Sequence, residues 1–241
     1  MKKARQESVA GDQLCPGCDY IIMPGKNPIL EILDEIPKEA IGGFHTLCAD
    51  VGEIPGHPLS GYRAGDILPQ SLWSAQHRPA CPDPHGFVYV PGLDVWARIY
   101  LEQNEKGLIN LSYDDFVASG NARTRRLPTH EEFIALAEGS NEMTNIKDSR
   151  RPERSGGHVD QLGRRMISQV GCEDCCGVLW QYLSTPHPVE SDYTLLAGGY
   201  WYYSSSCGSR GRNAYYYRWN ADTDIGARFV SEPLNRKTQK T

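Results

Sequence analysis

The chain has 241 residues, of which 39% are hydrophobic and 23% charged, and a formal net charge of −5 at pH 7. This composition is typical of a soluble globular protein with one large domain or two small ones. The acidic balance argues against nucleic acid as a partner, because proteins that bind nucleic acid carry a basic surface. No apolar run approaches the ~20 residues that span a bilayer, so we predict no transmembrane segment. We also predict no signal peptide, which leaves the cytoplasm, a virion and non-classical export as alternative locations.

Residues 1–85 are rich in Pro and Gly and contain only short apolar runs. They predict a segment of short strands and loops, which could pack against the main domain. The sequence of 87–91 and of 95–101 predicts two further strands, joined by a Gly-Leu-Asp turn.

A helix is predicted to begin after Thr129. Thr129 and Glu132 have the spacing of a capping box, and apolar residues follow at helical spacing as far as Gly139. Residues 140–166 are polar and predict a long loop. The chain beyond 193 predicts short strands broken by glycine, and 237–241 predict a polar tail that frays.

The eight cysteines are interpreted as buried free thiols, with an occasional disulfide as an alternative. Cys15 and Cys18 have the spacing of half a zinc ribbon, but no second Cys-x-x-Cys pair follows at the usual distance. His77, Cys81 and His85 have a spacing that a metal could use. The proline-rich sequence around these residues favours a rigid loop instead, so we predict no cofactor. A structural zinc or calcium ion stays an alternative without a supporting motif.

The sequence contains no convincing catalytic arrangement. Neighbouring carboxylates such as Asp114 and Asp115 point to different sides of an element, so they predict no shared acid–base site. Cys207 would need a base beside it to act as a nucleophile, and no histidine lies between residue 188 and the C-terminus. We predict no catalytic residue.

The stretch 200–224 has an unusual composition. It contains six of the thirteen tyrosines together with serine, asparagine and aspartate, but no Lys, Glu, Gln or Met. Tyrosine mixed with Ser, Gly and Asn is typical of binding surfaces, because Tyr gives a large, stiff contact area at low entropic cost. This stretch is therefore predicted to hold another molecule.

Several ordered motifs resemble one known family. They are Leu127-Pro128-Thr129-x-x-Glu132-Phe133, Gly171-Cys172-Glu173-Asp174, Gly177-Val178-Leu179-Trp180-Gln181, Gly198-Gly199-x-Trp201 and Gly226-Ala227-Arg228-Phe229. Their order resembles the formylglycine-generating-enzyme type of C-type lectin fold. Within it, the chain is most similar to the variable proteins of diversity-generating retroelements, as the sequence of 156–168 and Cys207-Gly208-Ser209-Arg210 also indicates. The resemblance covers about 86–234.

The resemblance implies an α+β C-type lectin fold, with short strands and loops and few helices, over 86–236. It also implies a hypervariable region at about 198–226. In such systems a reverse transcriptase copies a template with errors at adenines, often in AAC codons. The resulting C-ending codons can encode Tyr, Ser, Asn and Asp but never Lys, Glu, Gln, Met or Trp. The tryptophans of this region are then fixed residues.

On this basis the ligand-binding, diversified positions are expected to be Tyr200, Tyr202, Tyr203, Ser204, Ser205, Ser206, Asn213, Tyr215, Tyr216, Tyr217, Asn220, Asp222 and Asp224. The scaffold of the site is expected to be Trp180, Trp201, Cys207, Gly208, Arg210, Arg212, Arg218, Trp219 and Arg228. The tryptophans are interpreted as core aromatics. Most of the arginines are interpreted as internal partners, although arginines could also bind a phosphate or carboxylate.

The resemblance implies a receptor-like or adhesin-like function, with an unknown protein or glycan as ligand. One alternative is a copper-dependent oxidoreductase of the same fold, whose paired cysteines would fall on Tyr203 and Gly208; only Cys207 is nearby. Another alternative is a receptor-binding protein at a phage tail tip.

Overall fold

The computed structural model describes residues 14–25, 29–31, 36–75, 80–81 and 83–234. Within them the chain forms two α-helices and a series of short strands. The helices are α1 (Tyr113–Asn121) and α2 (His130–Ala137). The strands are β1 (Asp19–Ile22), β2 (Ile29–Glu31), β3 (Gly42–His45), β4 (Trp73–Ser74), β5 (Phe87–Val90), β6 (Val95–Arg98), β7 (Gln103–Asn104), β8 (Gly107–Leu108), β9 (Trp180–Pro186), β10 (Tyr193–Gly198), β11 (Gly208–Tyr217), β12 (Ile225–Gly226) and β13 (Val230–Ser231).

The strands form small separate sheets. In the described residues their orders are β2-β1-β3-β4, β11-β10-β9-β12, β13-β6-β5 and β7-β8. The prediction of an α+β fold with short strands and few helices is confirmed. Two details differ from expectation, because β11 is a ten-residue strand and α1 was not predicted.

The sheet β11-β10-β9-β12 carries the tyrosine-rich stretch. β10 pairs antiparallel with both β9 and β11, and β12 returns parallel to β9. Tyr193 lies opposite Tyr217 at one end of the β10–β11 pair, and Gly198 lies opposite Gly208 at the other. β11 is thus an edge strand, and one of its sides has no neighbouring strand among the described residues.

Helix α1 begins at a cap that is visible in the sequence. The Ser112 hydroxyl accepts a hydrogen bond from the Asp115 backbone N–H at 3.2 Å. The spacing Ser-x-x-Asp is an N-terminal signal of the same type as a capping box. Reading Asp114 and Asp115 only as adjacent carboxylates therefore missed this helix.

Helix α2 begins as predicted. The Thr129 hydroxyl accepts from the Glu132 N–H, and the Glu132 carboxylate accepts from the Thr129 N–H, which completes the capping box. Its inner face buries Phe133 and Leu136 in the main core. Each such side chain contributes roughly 1.5–3 kcal/mol when it is fully buried.

The N-terminal segment contributes to the same core. Leu47 and Leu68 are buried in one cluster with Phe133 and Leu183. A polar contact supports this packing, because the buried His45 ring lies 2.9 Å from Asp19 and 3.0 Å from the Tyr100 hydroxyl. The division of the chain at residue 85 stays a prediction about its domain organisation, and the tail 237–241 lies outside the described residues.

A second core cluster supports the tyrosine-rich sheet from below. Its buried members come from α1, the loop between α1 and α2, β9, β10, β12 and the segment that follows β12. They are Phe116, Leu127, Trp180, Tyr182, Leu196, Ile225, Ala227 and Phe229. This cluster fixes the sheet without help from the exposed side chains of 200–224.

Candidate ligand-binding face

The exposed side chains of 200–224 form one surface, called here the aromatic face. It is built from the loop after β10 with a short 3-10 turn at Ser204–Ser206, from the edge strand β11, and from the turn between β11 and β12. All thirteen predicted ligand-binding positions lie on these segments.

Large tyrosine side chains of the aromatic face point into solvent. Tyr215 is 86% exposed, Tyr203 57% and Tyr202 56%. Tyr217 is 38% exposed. Exposed aromatic side chains that bury no core surface are available for contact with another molecule.

Two other tyrosines are half-buried. The Tyr200 ring stacks on Trp180 with 6.3 Å between centroids, and Tyr216 packs against the cluster that contains Tyr182. Burial raises the pKa of both phenols. These two positions therefore support the sheet as well as presenting an edge to solvent.

The polar residues of the aromatic face mostly shape its turns. The Ser206 hydroxyl donates to the Tyr203 carbonyl at 3.2 Å, and the Asn213 side chain accepts from the Tyr215 N–H at 3.0 Å. Asp222 accepts from the Asp224 N–H at 3.1 Å. Short polar side chains of this kind stabilise turns through local backbone contacts.

The turn after β11 is also attached to the frame. The Asp224 carboxylate accepts from Trp201 Nε1 at 2.9 Å, and the Asn220 carbonyl accepts from the Tyr182 hydroxyl at 2.9 Å. The contact of Asn220 uses its backbone, so it survives any substitution there. The contact of Asp224 uses its side chain, so substitution at this position also affects Trp201.

The aromatic rings form two groups. The first contains Tyr200, Trp201, Tyr202 and Tyr203, with Tyr202 and Tyr203 4.8 Å apart. The second is a ladder at the other end of β11, in which Tyr217 lies 4.3 Å from Tyr193 and 4.8 Å from Trp219. The two groups lie beside opposite ends of β10. Since β10 has six residues, its two ends are about 17 Å apart.

Three predicted scaffold arginines contact α1, α2 or the buried core. Arg212 donates from Nε to His130 Nδ1 at 3.0 Å and lies over the Phe133 ring. Arg218 forms a paired contact with Asp114 at the start of α1, at 2.8 and 2.5 Å. The fully buried Arg228 donates to the carbonyls of Arg98, Ile99 and Glu173.

A close approach of two backbones holds the first loop. Gly199 has φ +78, and a Cβ there would collide with the backbone of Cys207. The buried Cys207 thiol donates to the Tyr203 carbonyl at 2.9 Å. Gly208 adjoins the Glu142 carboxylate, which accepts from the Ser209 N–H at 2.9 Å.

The interpretation of Trp219 as a core aromatic is wrong, and Arg210 has no internal partner within the described residues. Trp219 is 56% exposed and stacks on Tyr217, so it is a surface aromatic and no part of the core. Arg210 is exposed, and its side chain forms no hydrogen bond or ion pair within the described residues. Both lie on or just after an edge strand, where sequence pattern alone does not show which side faces solvent.

Two further residues, which were not predicted from the sequence, border the aromatic face. Met143 is 65% exposed, has φ 56, and donates its N–H to the Cys207 carbonyl at 2.9 Å. Asn145 donates from its side chain to the Trp201 carbonyl. No motif marks the polar loop that carries them. Tyr193 of the second ring group was also missed, because it precedes the tyrosine-rich stretch.

Cys207 has the environment of an inert thiol. Its burial raises its pKa to about 12, so the thiolate is scarce at neutral pH. Among the described residues, no three His, Cys, Asp or Glu side chains are grouped so as to hold a metal ion. His77, one of the residues with metal-like spacing, lies outside the described residues.

The sheets and the two capped helices form a C-type lectin fold of the type found in retroelement variable proteins. The M1 variant of the Major Tropism Determinant superimposes with a TM-score of 0.74 at 23% identity, over 94% of this chain and 74% of that chain. Its P3c variant gives a TM-score of 0.73 at 24% identity, over 91% and 73%. The expected fold and the resemblance to variable proteins are thereby confirmed.

One curated relative is a tail fiber receptor-binding protein of Bordetella phage BPP-1. It is 27% identical over 202 residues, which cover 66% of this chain and 50% of the relative. The chain thus spans about half the length of that protein. No protein-family model matches the chain. No helix in the described residues is long and apolar enough to cross a membrane.

Proposed function

We propose that this chain binds a macromolecule on another particle or cell through the aromatic face. The observation that carries the proposal is the exposure of Tyr202, Tyr203, Tyr215 and Trp219 above a core that does not need them. The name of the phage relative, a receptor-binding protein, supports the same function. A protein or a glycan on a cell surface is the ligand class that this face would suit.

The size of the aromatic face favours a macromolecular ligand. A standard interface buries ~800 Å² on each partner, and a fully engaged aromatic side chain buries ~150–250 Å². Four exposed aromatic residues, even partly engaged, would supply a large share of one such interface. A few of them would dominate the affinity, because tyrosine and tryptophan are frequent hot spots.

We further propose that the thirteen ligand-binding positions are diversified between relatives of this chain. Support comes from the arrangement of the fold, in which none of these thirteen side chains is fully buried and other residues form the buried core. Coding DNA from sibling isolates tests this. Differences confined to bases that derive from adenine, in codons 200–224, are expected; differences spread evenly along the chain would contradict the proposal.

Adsorption of the purified protein to a panel of bacterial strains tests binding. Where the protein adsorbs, the triple variant Tyr202→Ala, Tyr203→Ala, Tyr215→Ala should lose adsorption while its melting temperature stays close to that of the parent. The variant Leu162→Ala is a matched control, because this side chain is 70% exposed but lies outside the aromatic face. Equal adsorption by parent and triple variant would refute the proposal.

The alternative of an oxidoreductase has little support from the site. Burial raises the pKa of the Cys207 thiol to about 12. The resemblance implies that the paired cysteines of the enzyme would fall on Tyr203 and Gly208, neither of which is a cysteine. We propose that the chain is not an enzyme. Copper analysis combined with a peptide-oxidation assay tests this, and turnover with stoichiometric copper would favour the enzyme. Association with a virion, as the phage relative suggests, is part of the proposed function.

A further inference from the structure

A cleft of about 210 Å³ adjoins the second ring group, between the start of α1 and the β9–β10 hairpin. Its walls include Tyr113, Ser184, His187, Ser191, Tyr193 and Arg218. None of its lining residues is among the thirteen predicted variable positions. We propose that this cleft is a second, fixed ligand site, which takes one neutral pyranose sugar such as the terminal unit of a surface glycan.

The cleft has aromatic walls that suit a sugar ring. Tyr113 and Tyr193 contribute phenol rings, and the His187 ring lies 5.5 Å from that of Tyr193. Leu183 and Pro186 add apolar surface. A pyranose presents C–H groups on its ring faces, and these pack favourably on aromatic rings while its hydroxyl groups point outward.

The cleft also offers polar groups without internal partners. The hydroxyls of Ser184 and Ser191 form no hydrogen bond within the described residues. His187 Nδ1 accepts from the backbone N–H groups of Val189 and Glu190 at 3.3 and 3.0 Å. The neutral ring therefore carries its proton on Nε2, which can donate to a ligand. A few such groups in a small apolar site orient a ligand.

The charges around the cleft disfavour an anionic ligand. Inside it, the Arg218 guanidinium forms an ion pair with Asp114 and lies 5.4 Å from the Tyr113 ring centroid, so its positive charge is offset. At the rim, Glu190 and Asp192 flank Ser191, are exposed, and form no ion pair within the described residues. These carboxylates would repel an anion.

The volume fits one ring. Pockets for drug-sized ligands measure ~300–1,000 Å³, so a cleft of about 210 Å³ takes a single monosaccharide unit.

The cleft adjoins the aromatic face. The Tyr193 hydroxyl lies 2.7 Å from that of Tyr217, a predicted variable residue. One glycan-bearing ligand could thus contact the fixed cleft and the aromatic face together. Because the residues that line the cleft lie outside the proposed variable set, binding in the cleft does not depend on binding by the aromatic face.

Saturation-transfer NMR on the purified chain tests the cleft. The probes are the methyl glycosides of glucose, galactose, mannose and N-acetylglucosamine, with choline as the cationic probe and N-acetylneuraminic acid as the anionic probe. We expect at least one neutral glycoside to bind at millimolar concentration and the anionic probe to give no signal. Binding of a charged probe alone, or of no probe, would overturn the proposal.

Two variants locate the binding. Ser191→Trp fills the mouth of the cleft and should weaken binding roughly tenfold or more, whereas Ser206→Trp on the aromatic face should leave it unchanged. His187→Ala, which removes a ring and the Nε2–H donor, should weaken binding likewise, and it gives the same readout if Ser191→Trp does not fold. Loss of sugar binding in Ser206→Trp alone, or its retention in both folded cleft variants, would contradict the assignment. Adsorption to cells by the folded cleft variants separately reports on the aromatic face.

Discussion

At the scale of the residue, neighbouring tyrosines of one strand have different roles. Tyr215 is 86% exposed, whereas Tyr216 packs against the cluster beneath the sheet. Successive side chains of a strand point to opposite faces, so one side chain faces solvent and the next contacts the core. The composition of 200–224 alone did not distinguish them.

This difference predicts unequal effects of two matched substitutions. Tyr216→Ala should lower the free energy of unfolding by about 2 kcal/mol, because it removes packing from a half-buried position. Tyr215→Ala should change it by less than about 0.5 kcal/mol. Urea denaturation of the two variants measures both values. Equal losses would show that the two rings do not differ in their support of the fold.

A buried ion pair makes stability depend on pH. His158 Nδ1 lies 3.0 Å from the fully buried Asp174 carboxylate. Burial lowers the pKa of His158, but the hydrogen bond and charge of Asp174 outweigh it, so the net pKa is raised above 6.5. A raised histidine pKa contributes stability that is fully present below pH 6.5 and is lost as pH rises through the folded-state pKa.

Removing the ionisable ring should therefore flatten this dependence. We expect the difference in free energy of unfolding between the parent chain and His158→Gln to be larger at pH 6 than at pH 8. Denaturation at the two pH values measures it, and comparison with the variant cancels the contributions of other histidines. A difference that grows toward pH 8 would have the wrong sign for this pair.

At the scale of the element, helix α2 connects the frame to the edge strand. Its capping box fixes where the helix begins, and His130 in its first turn accepts a hydrogen bond from Arg212 of β11. The sequence predicted this helix because its cap is local. It did not predict the contact with Arg212, because 82 residues separate the two partners.

Loss of the cap should cost stability without loss of the fold. Thr129→Ala should lower the free energy of unfolding by about 1 kcal/mol. Thr129→Ser keeps the hydroxyl that accepts from the Glu132 N–H and should stay close to the parent. Chemical denaturation compares the two; a similar loss in both variants would mean that the methyl group of Thr129, and not its hydroxyl, matters.

Other features of the site could not be derived from local sequence. The partners of Arg228 come from β6, the residue after it and a distant loop, so the motif identified the residue as scaffold but not its contacts. The exposure of Trp219 and Arg210 depends on the edge position of β11, which only sheet order reveals. The cleft beside α1 escaped prediction because that helix itself was missed.

At the scale of the whole molecule, the residues that are buried in the core differ from those that are exposed on the aromatic face. The buried members of the clusters below the tyrosine-rich sheet and around α2 all lie outside the predicted variable set, of which only Tyr200 and Tyr216 pack against these clusters. The exposed positions sit on an edge strand and two flanking turns, where a substitution disturbs few buried contacts. Such a frame can change its contact surface without changing its fold.

The most direct test of this account is the folded fraction of two libraries displayed on yeast. In one, codons 202, 203, 206, 213 and 215 are randomised with C-ending codons; in the other, the same number of buried positions is randomised, namely 180, 182, 196, 225 and 229. We predict that most members of the first library fold with melting temperatures near that of the parent, and that few of the second do. Equal unfolding in the two libraries would contradict the claim that the aromatic face is separate from the frame.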